Sequence, residues 1–194
     1  SFKVDFNEKL TYTGDIASKS SSLNVGYFIL QKIYHDLKLQ DFFREIQDNS
    51  KVTFDCNTIN RFLTYARILE PMSKLGTFDK LDTYYEQPSF KYQHILRFMN
   101  ILHKNYDAYL EHLFLNSGNI VQRNTSVCYF DCTNYYFESE KEDDEYVDEV
   151  TGEILKGLRK YGPSKEHRPN PIVQMGLFID GDGIPISMCI NSGS

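Results

Sequence analysis

The chain has no tryptophan, only four cysteines in 194 residues, and no apolar run near the roughly 18 residues that span a membrane. Each absence removes a class of protein. Cys56, Cys128, Cys132 and Cys189 are too few and too scattered for a disulfide scaffold, so a reducing cytoplasm is the default compartment. Without a spanning run or a signal-peptide core, the transmembrane and secreted classes fall away. The chain opens on Ser1 rather than Met, which sets the expectation of a piece of something longer. What is present is aromatic: 14 Tyr and 14 Phe supply anchors for a packed core.

The net charge of −6 argues at first against nucleic acid, but its distribution reverses that argument. Glu138 to Glu153 holds nine carboxylates against Lys141, a net of −8; taking that from the chain's −6 leaves +2 for the rest. Lys156 to Arg168 then carries five Lys or Arg against Glu166 alone. An acidic block followed at once by a basic one is a local feature, and the global sign is a poor guide to partners.

Hydrophobic periodicity divides the chain. Residues 1–22 are polar, end in Ser-Lys-Ser-Ser-Ser and read as a tail or linker, with Phe2-Val4-Phe6 a short strand-like alternation. Residues 23–118 follow helical spacing and read as a helical bundle. Tyr27, Leu30, Ile33, Tyr34 and Leu37 define its first buried face, and Asp41 to Ile46 a short second helix. Asp55 or Asn57 caps a third helix that stops ahead of Pro71. Ser73 opens a fourth carrying Leu75, Phe78, Leu81 and Tyr85; Ile95 to Leu102 and Tyr106 to Phe114 mark the fifth and sixth.

After Asn124 the period becomes two. Asp131 shares one strand face with Val127, Tyr129 and Thr133, while Cys128, Phe130 and Cys132 share the other. Ile172 to Ile179 reads as a strand buried on both faces. Asp180-Gly181-Asp182-Gly183 is a hairpin turn, and Pro185 to Ile190 a third strand. The expected fold is an α+β fragment: a helical bundle at 23–118, then three antiparallel strands within 124–194, interrupted by a charged insertion at 138–171.

Asp131 stands in an otherwise apolar and aromatic strand, where a carboxylate is costly unless a cation or metal pairs with it. A divalent cation would make it useful for phosphoryl transfer. A solvated strand-end aspartate, or one paired with a neighbouring Lys, satisfies the same pattern. Asp180 and Asp182 read as turn residues. With Asp131 opposite about Phe178, they lie on the order of 10 Å from it, too far for ions held about 4 Å apart. The acidic block lacks the Asp-x-Asp-x-Asp-Gly order of a calcium loop and reads as a solvated, partly disordered insertion. Cys128 and Cys132 read as small buried hydrophobes. His35, His94, His103 and His112 have no metal-binding spacing.

The run Asp131-Cys132-Thr133-Asn134-Tyr135-Tyr136-Phe137-Glu138 resembles the first catalytic motif of bacterial insertion-sequence DDE transposases, in the branch related to the insertion-sequence-four group. Lys160-Tyr161-Gly162-Pro163-Ser164-Lys165-Glu166-His167-Arg168-Pro169 is similar to that family's segment before its second strand. Gln174 to Pro185 resembles its second and third strands with their turn. Gly26 to Tyr34 and Glu70-Pro71-Met72-Ser73-Lys74-Leu75 resemble its helical part.

The resemblance covers roughly residues 23–190 and implies a ribonuclease-H-like core with three metal-binding acids. Asp131 maps onto the first; the other two are expected beyond Ser194, so this fragment alone is expected to be inactive. It also implies Mg²⁺ or Mn²⁺ as cofactor, transposon-end and target DNA as partners, self-association, no membrane, and a bacterial cytoplasmic, nucleoid-associated location. Asp131 is then the catalytic and metal-binding candidate. Lys160, Lys165, His167 and Arg168 are the DNA-binding candidates, led by Lys165 and Arg168; His167 equally suits a plain loop histidine. Two alternatives stand beside strand cleavage and transfer: a non-catalytic DNA-binding or assembly remnant of a truncated transposase, and a metal-dependent nuclease on the same core.

Overall fold

A computed structural model describes residues 23–147, 152, 154–155, 157–163 and 169–193; the tail read at 1–22 lies outside the described residues. Among the described residues, six α-helices precede the strands: α1 (Tyr27–Asp36), α2 (Leu39–Asp48), α3 (Cys56–Leu69), α4 (Lys74–Asp79), α5 (Tyr92–Lys104) and α6 (Tyr106–Ser117). The strands are β1 (Cys128–Tyr136), β2 (Tyr146–Val147), β3 (Ile154–Leu155), β4 (Ile172–Asp180) and β5 (Pro185–Ser192). The fold is mixed α+β, and no described helix is long and apolar enough to cross a membrane.

Local chemistry sets the helix starts. Asp55 caps α3 by accepting from Thr58 N–H at 2.9 Å, and Ser73 caps α4 by accepting from Gly76 N–H at 3.1 Å. Pro71 follows the end of α3, as the missing N–H of proline requires. The bundle buries two aromatic-rich clusters. One centres on Tyr27, Tyr34, Phe62 and Tyr65; the other on Phe43, Ile59, Ile95 and Phe98. A polar thread joins α1, α3 and α6: buried Asn60 donates to the Tyr34 hydroxyl at 3.1 Å and to that of Tyr109 at 3.4 Å. Burial pushes both phenols above their ordinary range.

Two helical expectations need correction. Ile33 is exposed, because α1 buries the narrower stripe of Tyr27 and Tyr34. The fourth helix does not run through Tyr85. It ends at Asp79, and Leu81–Thr83 forms a 3₁₀ turn. Asn24 explains the break: its N–H donates to Thr83 O at 2.7 Å and its carbonyl accepts from Tyr85 N–H at 3.2 Å. Those bonds draw Tyr84 into an extended conformation (φ −81°, ψ 143°) that no helix can carry.

The main sheet has three antiparallel strands in the order β1-β4-β5. Asp131 lies opposite Leu177, one residue from the expected Phe178. A bulge between Phe178 and Ile179 shifts the β4–β5 register next to the turn. Gly183 takes φ +80° there, a left-handed conformation that glycine permits. Gly176 in mid-β4 is required by close approach: a Cβ would stand 2.6 Å from the Phe130 ring and 2.8 Å from Cys189 Sγ. The bare backbone lets Phe130 lie beside Phe178, ring centroids 4.5 Å apart.

Helix α6 packs on β5, where Tyr106 Oη donates to Met188 O at 3.1 Å. The helices leave much of the sheet uncovered. Most of β4 is therefore half-buried rather than buried on both faces, and Cys128 is exposed rather than a buried hydrophobe.

Within the charged insertion, β2 and β3 pair as a two-stranded antiparallel ladder. Two of its described carboxylates, those of Glu142 and Asp143, bond to the described part of the basic stretch. Asp143 accepts from Arg159 N–H at 2.9 Å and from Arg159 Nε at 2.7 Å. Those bonds, with the neighbouring cationic charge, hold the Asp143 carboxyl below its ordinary range. Tyr161 N–H donates to Glu142 at 2.7 Å. In this part of the insertion Asp143 and Glu142 are thus engaged by Arg159, Lys160 and Tyr161.

Candidate functional site

Asp131 sits mid-strand on β1, and its position follows from the ladder. Directly opposed residues of neighbouring strands share a face, so Asp131, Leu177 and Met188 cross one face of the sheet in a row. Met188 and Leu177 lie toward α6 and line a cavity of about 500 Å³ between that helix and the sheet. Asp131 lies at the far end of the row, on the exposed edge strand, with exposed Tyr129, Thr133 and Tyr135 along the same face.

Desolvation therefore does not single Asp131 out. The strand that carries it is a sheet edge rather than a buried core strand, so the burial premise of the sequence reading fails. What the geometry leaves is an accessible carboxylate on a rigid strand, a hard oxygen donor of the kind Mg²⁺ prefers. The described residues hold no group of three or more His, Cys, Asp or Glu placed to share a metal ion. Asp131 can supply one ligand but not a complete set.

Lys160 does not converge on Asp131. It pairs with Ile172 through reciprocal backbone bonds of 3.2 and 2.9 Å. Ile172 stands five residues along β4 from the partner of Asp131, roughly 16 Å at the usual strand rise. The Lys160 Nζ donates to Asp143 O at 2.8 Å and lies 3.7 Å from Glu142 Oε2. The ammonium is thus engaged by the acidic block. Lys165, His167 and Arg168 lie outside the described residues.

Asp180 and Asp182 form the β4–β5 turn, as their sequence suggests, but Asp180 has a second role. It is fully buried and paired with Arg123, Nε to Oδ2 at 2.7 Å. Its other oxygen accepts from Asp182 N–H at 3.1 Å and Ile184 N–H at 2.9 Å. Burial pushes this carboxyl upward, but the Ile184 N–H, the Arg123 guanidinium and the Asp182 N–H outweigh it, and the pKa falls below the ordinary carboxylate range. Arg123 also donates to Ile184 O and Pro185 O at 3.2 and 2.9 Å and lies over the Phe114 ring. It clamps the end of α6 to the hairpin that orders the sheet.

Sequence reasoning passed over Arg123, taking it as part of a boundary. The usable signal was an isolated Arg ahead of β1 together with an aspartate opening a tight turn, since a buried carboxylate needs a cation.

No protein-family model matches the chain, and neither a curated protein nor a solved structure was found to be similar to it.

Proposed function

We propose that this chain is the helical module and first catalytic strands of a DDE-class DNA transposase, built on a ribonuclease-H-like core. In this reading it takes part in metal-dependent cleavage and transfer of DNA strands. The observation that carries it is Asp131: an accessible carboxylate in mid-β1, on the first strand of an antiparallel series that follows a helical bundle. The motif order in the sequence gives that aspartate its family resemblance, and the strand order β1-β4-β5 is compatible with the opening of such a core.

The chemistry assigned to this chain is positional. A divalent cation, when bound, supplies positive charge at a reacting phosphodiester. Asp131 would contribute one anionic oxygen toward holding it, from a strand whose geometry is fixed by nine paired positions on β4. The two further acids of the triad come from outside the described residues. Transposon-end and target DNA are the substrates in this reading, and self-association would bring two ends together.

The test uses the protein expressed from its complete reading frame. Asp131→Asn keeps the side-chain size and removes the charge. Cleavage of transposon-end DNA in Mg²⁺ should fall by about 10³-fold or more, the scale of a lost transition-state charge contact, while DNA binding stays near that of the parent. Unchanged cleavage removes Asp131 from the mechanism and the proposal with it.

A further inference from the structure

The cations of the helical module are unevenly neutralised. Lys32, Arg44, Arg61 and Lys80 pair with Asp36, Asp41, Glu86 and Glu70. Lys38, Lys51, Arg67, Lys74, Lys91, Arg97 and Lys104 are exposed and make no ion pair among the described residues. Arg67 at the end of α3 and Lys74 at the start of α4 line a groove of about 330 Å³ whose other wall is Met99 and Leu102 of α5. Arg97 and Lys104 lie on the solvent side of α5.

The charge around them is one-sided. From Gln87 to Tyr106 the chain contains Lys91, Arg97, Lys104 and two histidines, and no carboxylate. The flanking helices differ: α2 carries Asp41, Glu45 and Asp48, and α6 carries Asp107 and Glu111. On α5 the exposed residues Gln93, Arg97, Asn100 and Lys104 fall at three- and four-residue steps and share one face. Asn100 places a neutral hydrogen-bond donor between the charges, and Gln93 another one turn before them. His94 is not part of this face; its ring stacks on Phe54.

We infer that the α5 face of Gln93, Arg97, Asn100 and Lys104 binds the phosphate backbone of duplex DNA. This rests on the transposase reading for its partner and goes beyond it in naming the surface. Arg97 and Lys104 are seven residues apart, about 10.5 Å along the helix axis. That separation spans about three steps of one DNA strand at 3.4 Å each. Cations without an internal partner give up no ion pair on meeting phosphate, so counterion release from DNA is retained as binding energy. Contacts of this kind fix register and orientation rather than sequence.

The experiment compares the full chain with two double variants by fluorescence anisotropy on a labelled mixed-sequence duplex of about 30 base pairs, over about 50–200 mM NaCl. Arg97→Gln with Lys104→Gln should weaken binding about tenfold near 100 mM and flatten the slope of log K against log salt by about 1.8, two phosphate contacts. Lys32→Gln with Arg44→Gln removes the same charge from α1 and α2 and should change affinity by less than about twofold. Circular dichroism checks that both variants keep the parent's helicity. Retained binding by the α5 variant overturns the surface while leaving the DNA reading standing. Equal weakening in both variants means a net-charge effect and also overturns it. A parent chain that ignores duplex DNA but binds poly-glutamate through Arg97 and Lys104 gives the face to an acidic protein, and the inference fails with its partner.

Discussion

At the scale of single residues, the environments of chemically similar side chains diverge. Cys56 is fully buried at the start of α3, and burial, with the Asp55 carboxylate adding to it, pushes its thiol up to about 11. At about pH 8 only about 0.1% of it is thiolate, whereas Cys128 is exposed on β1. Alkylation followed by peptide mass spectrometry should label Cys128 first and Cys56 last; early labelling of Cys56 would contradict the packing around α3. Asp131 and Asp180 divide in the same way. The aspartate singled out for its apolar strand is exposed, and the one read as an ordinary turn residue is buried against Arg123. Local pattern fixes which face of a strand a residue takes. It does not say whether anything covers that face, and the Arg123 contact spans 57 positions of sequence. Because the Asp180 pKa is depressed, its contribution is present above the unfolded value near 4 and is lost as pH falls through the lower folded value. Arg123→Met should lower the melting temperature by several degrees at neutral pH, with the deficit shrinking on acidification below about pH 4. A deficit independent of pH would mean that the ion pair is not what Arg123 contributes.

At the scale of elements, helices were legible wherever a cap and a period agreed. Asp55 and Ser73 open α3 and α4, and Gly118 closes α6 as its C-cap. Periodicity failed where a distant backbone intervened, as when Asn24 captured the chain at Thr83 and Tyr85 and ended the fourth helix early. The strand pairing was legible from the Asp-Gly-Asp-Gly turn and the alternation after Asn124, to within one residue of register. Gly176 belongs to this scale, since its missing side chain lets β1, β4 and β5 close around Phe130 and Cys189. Gly176→Val should clash with the Phe130 ring and Cys189 at once. Hydrogen exchange should show β1 and β4 losing protection while α3 and α5 keep theirs; unchanged protection in β1 would refute the close-packing argument. In the bundle, Phe98 is 1% exposed and packs on Phe43 at 5.6 Å. Phe98→Ala should cost about 3–5 kcal/mol in a denaturant titration, and a loss below about 1 kcal/mol would show that this cluster is not a core.

At the scale of the molecule, the helical bundle and the sheet meet through α6 and β5, held by Tyr106 and the Arg123 clamp, while β1 carries Asp131 at the exposed edge of the sheet face that α6 packs against. In the proposed reading, the exposed sheet edge presents the carboxylate and the α5 face meets the DNA backbone. The metal assignment at Asp131 rests on sequence motifs and strand position, so it is tested most directly without recourse to turnover. Iron(II) substituted for Mg²⁺ in the protein from the complete reading frame, with ascorbate and peroxide, cuts the polypeptide next to the ion. The cuts should fall on β1 around Asp131 and on β4 around Leu177, directly opposite. They should disappear with excess Mg²⁺ and in Asp131→Asn. Cuts that map elsewhere, or that persist unchanged in the variant, would contradict the assignment of Asp131 as a metal ligand.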